Sequence, residues 1–187
     1  MKRILRKVRS QRGFSLAETL IAMALLAIMS SAAIFGVQQA LAQRSQAIAL
    51  ADAQTVASTA AQVITDQLRY GQVDGDRTGG DQAVLLSGTS GGAVCITLDD
   101  NGHLTTRAAG LSGGAVTQGK TYASLSADAY SGLRLRDLTF TPHTNGSDKV
   151  VKSVDVSFTV TTQDGTDSLW DLNFSVAPIN QRAFTLK

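Results

Sequence analysis

The chain of 187 residues has a single cysteine, two prolines, and few aromatic (5%) or charged (17%) side chains. With Cys95 alone no intramolecular disulfide can form, so a folded domain must be held by its apolar core. Cys95 itself sits in the strand-like run Ala93-Val94-Cys95-Ile96-Thr97-Leu98 and reads as a small buried hydrophobe. Proline first occurs at Pro142, so no proline interrupts a helix before it. The scarcity of charge excludes both a disordered chain and a strongly basic nucleic-acid binder. Only two histidines are present, His103 and His143, in no ligand or triad spacing. Both lie beside turns and read as exposed loop residues, and no Ser, Thr or Asp falls in a nucleophile motif. An enzyme is therefore not indicated, and no cofactor or metal is.

Acid is also missing from the start of the chain. Lys2, Arg3, Arg6, Lys7, Arg9 and Arg12 form a basic leader over residues 1–13 with no compensating carboxylate. Eleven of the 17 Lys and Arg lie beyond it against 15 Asp and Glu, so the remainder is weakly negative despite the overall +2. Such a basic cluster marks the cytoplasmic flank of a membrane segment or faces anionic lipid. The next stretch, residues 14–37, is apolar or small apart from Glu18. As a helix this run spans roughly 36 Å, enough for a hydrocarbon layer of about 30 Å.

Residues 38–70 continue without Gly or Pro and read as an amphipathic helix. Leu41, Ile48, Val56, Val63 and Tyr70, with Ala60, Ile64 and Leu68, make its apolar stripe, and Gly71 ends it. Residues 71–187 change texture. Residues 71–92 read as a Gly-, Asp- and Ser-rich loop with one short strand at 83–86. Runs at 93–98 and 103–108 flank the hairpin turn Asp99-Asp100-Asn101-Gly102, and 115–125 and 133–141 are weaker strands. Val154, Val156, Phe158 and Val160 alternate, as do Trp170, Leu172, Phe174 and Val176, on either side of Gln163-Asp164-Gly165-Thr166. That is an antiparallel hairpin with one buried face, and the helix stripe is its natural cover. The expected fold is α+β, a long N-terminal helix packed on an antiparallel β-sheet.

The junction Gly13-Phe14-Ser15-Leu16-Ala17-Glu18 resembles the prepilin cleavage site of the type IV pilin and pseudopilin family. A basic leader ends in Gly, Phe comes next, and Glu stands fifth in the mature chain. The resemblance implies cleavage between Gly13 and Phe14 by a membrane prepilin peptidase, where glycine lets extended backbone enter a cleft. It implies N-methylation of the new Phe14 amine, and pairing of Glu18 with that amine on the same or a neighbouring subunit during assembly. It further implies as partners other pilin subunits, an inner-membrane platform with its ATPase, and membrane lipid before assembly; no nucleic acid is indicated. Ala22, Ala24, Ala27, Ala32, Ala33 and Gly36, with Ser30 and Ser31, suit close helix–helix approach. The implied location is a single-pass membrane protein, N-terminus cytoplasmic and head external, then a cell-surface or periplasmic filament: a type IV pilus or a type II secretion pseudopilus. The chain departs from many members in lacking a proline in this helix and a disulfide-clamped C-terminal loop.

Two other readings compete. Ala40-Leu41-Ala42 before Gln43 has the small-x-small form of a signal-peptidase site, which gives a secreted β-rich protein cut after Ala42. An uncleaved single-pass anchor is the other. The length of the apolar run and the acid within it count against a signal peptide. Asp74-Gly75-Asp76, Asp81 and Asp99-Asp100-Asn101 are acidic loops that fit no EF-hand spacing and read as turn chemistry.

Overall fold

The computed structural model describes residues 15–87, 92–112, 115–145 and 150–179. The leader, Gly13 and Phe14 lie outside them. The chain divides into two compact units, Met1–Gln46 and Ala47–Lys187. One α-helix, α1 (Leu16–Tyr70), has residues in both.

In the first unit the described residues are helical almost from their start, with Glu18 and Thr19 N–H donating to the Ser15 carbonyl at 2.9 and 3.1 Å. Side chains are exposed all round: Leu16, Met23, Met29 and Phe35 each leave 69% or more of their surface uncovered. A helix apolar on every face is suited to lipid or to other apolar helices, not to water.

In the second unit, α1 from Ala47 onward packs on two antiparallel sheets. Its buried face is Ala53, Val56, Ala57, Ala60, Ile64 and Leu68. Each large aliphatic side chain so buried stabilises the fold by about 1.5–3 kcal/mol, while the alanines admit the strands at close range. The expected stripe holds only in part. Val56 is buried and Val63 partly so, but Leu41, Ile48 and Tyr70 are 59%, 50% and 68% exposed. At about 100° per residue, Ile48 lies about 140° from Ala53, far from the buried face, whereas Tyr70 falls about 40° from Val56 and is exposed as the last residue of the helix. The helix stops at Gly71, whose N–H donates to the Gln67 carbonyl at 2.9 Å. A Cβ at Gly71 would stand 2.6 Å from that oxygen, so glycine is needed.

The first sheet is a meander, β1 (Gln72–Val73), β2 (Ala83–Ser87), β3 (Gly92–Leu98), β4 (Leu104–Ser112) and β5 (Ala115–Ala123), in spatial order β1-β2-β3-β4-β5. Ala83 opposes Ile96 and Leu85 opposes Val94 on the face turned to the core; Val84 opposes Cys95 on the other. Cys95 is 4% exposed, and burial pushes its thiol above the usual range, with Arg107 opposing the shift. In the β3–β4 turn, Asp99 Oδ1 accepts from the N–H groups of Asn101 (2.9 Å) and His103 (2.7 Å). Gly102 takes a left-handed φ of +74° there.

The second sheet holds β6 (Arg134–Thr144), β7 (Val151–Thr161) and β8 (Ser168–Val176), in that order. The antiparallel strands expected on the helix thus divide into two sheets. Between them runs a short 3-10 helix, Ala127–Tyr130. Tyr130 is 1% exposed, and its hydroxyl accepts from the Leu104 N–H at 2.6 Å. The sheets are stitched where Leu135 N–H donates to the Gly102 carbonyl (2.9 Å) and Phe140 N–H to that of Gly80 (2.7 Å). The weak alternation in β6 has a local cause. Asp137 has φ +53° and the register with β7 shifts between Arg136 and Thr139, a bulge. It moves the inward set from Leu133 and Leu135 to Leu138 and Phe140, all buried.

Burial drives the Tyr130 phenol above its ordinary range, and the Leu104 bond partly opposes this. The folded state thus resists phenolate formation. The group's contribution is complete below the unfolded value of about 10 and is lost as pH rises through the folded one. Tyr130→Phe strands a buried Leu104 N–H and is expected to cost about 1–3 kcal/mol at neutral pH. It should also remove part of the loss of stability above about pH 10, both read in thermal melts at neutral and strongly alkaline pH.

Candidate functional site

Glu18 lies in the first turn of α1, and its side chain is exposed. A carboxylate near a helix N-terminus is favoured by the helix dipole, by about 0.3–1 kcal/mol. Among the described residues it has no hydrogen-bond or ion-pair partner. It is also the one charged residue between Phe14 and Gln43, with Arg44 the next. The hydroxyls of this segment differ from it. Thr19 Oγ1 donates to the Leu16 carbonyl (2.8 Å), Ser30 Oγ to that of Leu26 (2.7 Å), and Ser31 Oγ to that of Ile28 (2.8 Å). Each satisfies itself within its own helix, which makes it tolerable in hydrocarbon. A hydroxyl placed inside an unbroken helical run is the sequence signal for such bonds.

Gly13 and Phe14, the expected cleavage pair, fall outside the described residues. The helix from Leu16 is long and apolar enough to cross a membrane. Its small residues Ala22, Ala24, Ala27, Ala32, Ala33 and Gly36 are exposed along it.

The polar residues of the head are expected at loops, and two placements differ. His103 is partly buried rather than exposed, stacked on Tyr130 with ring centroids 4.4 Å apart. His143 is exposed but lies within β6, its Nε2 2.7 Å from Asp155 Oδ2 on β7. Bonds from the Ser175 hydroxyl and from His143 hold the Asp155 carboxyl below its usual range. This Ser–Asp–His row places the carboxylate in the middle, so the serine contacts no base, and it is not a nucleophile–base arrangement. The acidic loops serve as turns: Asp74 accepts from the Asp76 N–H (3.0 Å) and pairs with Arg77. Among the described residues no three His, Cys, Asp or Glu side chains gather as a metal site.

No curated protein and no solved structure matches the chain. A family model does: the prokaryotic N-terminal methylation motif matches residues 8–34, a stretch that takes in Gly13, Phe14, Glu18 and the apolar turns after them. That motif marks structural subunits rather than a family of enzymes, and it implies processing by prepilin peptidase. The chain thus carries, ahead of an α+β pilin-like layout, the processing and methylation motif of type IV pilin and pseudopilin precursors.

Proposed function

We propose that the chain is a structural subunit, cut between Gly13 and Phe14, N-methylated at Phe14, and assembled through its apolar helix into a type IV pilus or a type II secretion pseudopilus. The observation that carries this reading is the carboxylate of Glu18, which has no partner among the described residues and stands on an otherwise apolar helix. A charge in the middle of a bilayer costs about 3 kcal/mol on insertion scales. Cleavage creates a positive amine four residues away, on this subunit and on each neighbour. Pairing the two offsets the burial of both and sets the axial register of one subunit on the next. The exposed Ala, Gly and Ser positions let apolar helices approach closely in the filament core. Before assembly the helix anchors the chain in the inner membrane, basic leader inward and head outward. An assembly platform and its ATPase then move it into the filament. No catalysis is assigned to the chain.

The test is the start of the mature protein. Mass measurement of chain extracted from membranes should give a polypeptide beginning at Phe14 and one methyl group heavier. A start at Gln43 would establish the signal-peptide reading, and a start at Met1 the uncleaved anchor.

A further inference from the structure

We infer that Asn173 is an acceptor for N-linked carbohydrate, carried on the outer face of the free edge strand of the head. The inference rests on the external placement of the head proposed above. Asp171-Leu172-Asn173-Phe174-Ser175 contains the Asn-x-Ser acceptor pattern.

The structure puts this pattern on β8, which among the described strands pairs with β7 alone. Asp171, Asn173 and Ser175 are exposed, whereas Leu172 and Phe174 between them pack against the core. Their environments differ in a useful way. Asp171 Oδ1 accepts from Thr159 Oγ1 at 2.8 Å, and Ser175 is bonded to Asp155. Asn173 has no side-chain partner among the described residues. A group attached there displaces no contact of the fold.

In the transfer, the Asn173 amide nitrogen attacks the anomeric carbon of a lipid-linked oligosaccharide pyrophosphate. The N–C bond forms as the anomeric C–O bond breaks, and the lipid pyrophosphate leaves with the electron pair. The amide proton passes to a basic group of the membrane transferase. Since Asp171 and Ser175 are engaged across the sheet in the folded head, the acceptor is read before β8, the last strand, docks on β7. The glycan then stands out from an edge of nine residues that contains no proline and one charge, Asp171. Such an edge otherwise invites strand pairing between crowded heads, and a bulky hydrated group blocks it.

The experiment uses full-length protein isolated from the cells that naturally make it, digested with trypsin. Asn173 falls in the peptide spanning residues 153–182, and the only other Asn-x-Ser pattern, Asn145-Gly146-Ser147, falls in 137–149. The 153–182 peptide should carry a sugar mass that Asn173→Gln and Ser175→Ala abolish and Ser175→Thr retains. An unmodified 153–182 peptide, sugar confined to 137–149, or sugar that survives Ser175→Ala overturns the inference. The N-terminal residue is read on the same sample. A Phe14 start with bare Asn173 refutes the glycan and leaves the processing reading intact. A different start with sugar on Asn173 does the reverse.

Discussion

Replacing Glu18 by Gln should leave cleavage between Gly13 and Phe14 intact and remove most assembled filaments. The substitution keeps size and shape while deleting the charge. It acts on both ends of the transfer from membrane to filament. On the proposed reading, in the membrane it relieves the cost of a charge near the edge of the hydrocarbon, a fraction of the roughly 3 kcal/mol of a mid-bilayer site, which makes the stored subunit more stable. In the filament it removes the partner of the Phe14 amine and leaves that cation buried, a loss of about 3–5 kcal/mol. The filament-side change alone shifts the equilibrium on the order of 100-fold or more against assembly. The measurement is the amount of sheared or periplasmic polymer per cell beside the amount of processed subunit in membranes. A processed Glu18→Gln chain that polymerises as the parent does would refute the pairing.

Phe158→Ala should lower the thermal midpoint of the head by roughly 6–20 °C. Phe158 is 2% exposed on the central strand of the second sheet, and it meets Phe174 edge-on with centroids 6.4 Å apart. It stands opposite Leu172 in the β7–β8 register. Truncating such a ring costs about 3–5 kcal/mol through lost transfer energy and the cavity left behind. At about 2–4 °C per kcal/mol for a domain of this size, the shift results. The full chain in detergent suits the measurement because Trp170 is the only tryptophan. It lies opposite Val160 on β8 and packs against the same core, so its fluorescence reports the head and not the membrane segment. A midpoint indistinguishable from that of the parent would mean that Phe158 contributes little to the stability of the head.

The elements visible in the sequence are those whose signal is periodic and local. β7 and β8 alternate cleanly and are legible with their turn, because each has one face on the core and one in solvent. The Asp99–Gly102 turn is legible because Asx geometry and a left-handed glycine need only neighbouring residues. β6 is weak in the sequence because the Asp137 bulge inverts its alternation halfway along. The burial of His103 is invisible there because its stacking partner, Tyr130, is distant in sequence.

The amino-acid order alone determined the processing motif and the apolar helix, since a peptidase reads an extended segment residue by residue and a bilayer reads summed hydropathy over one helix. Neither depends on what the rest of the chain does. Tertiary packing decided which helical face is covered, so that Ala53, Ala57 and Ala60 are buried while Leu41, Ile48 and Tyr70 are not. It also decided that the strands divide into two sheets, with Tyr130 locking the start of β4 from within. Burial is a property of pairs of surfaces, and small residues win the close contact because the strands can approach there, whatever the hydrophobicity of their larger neighbours.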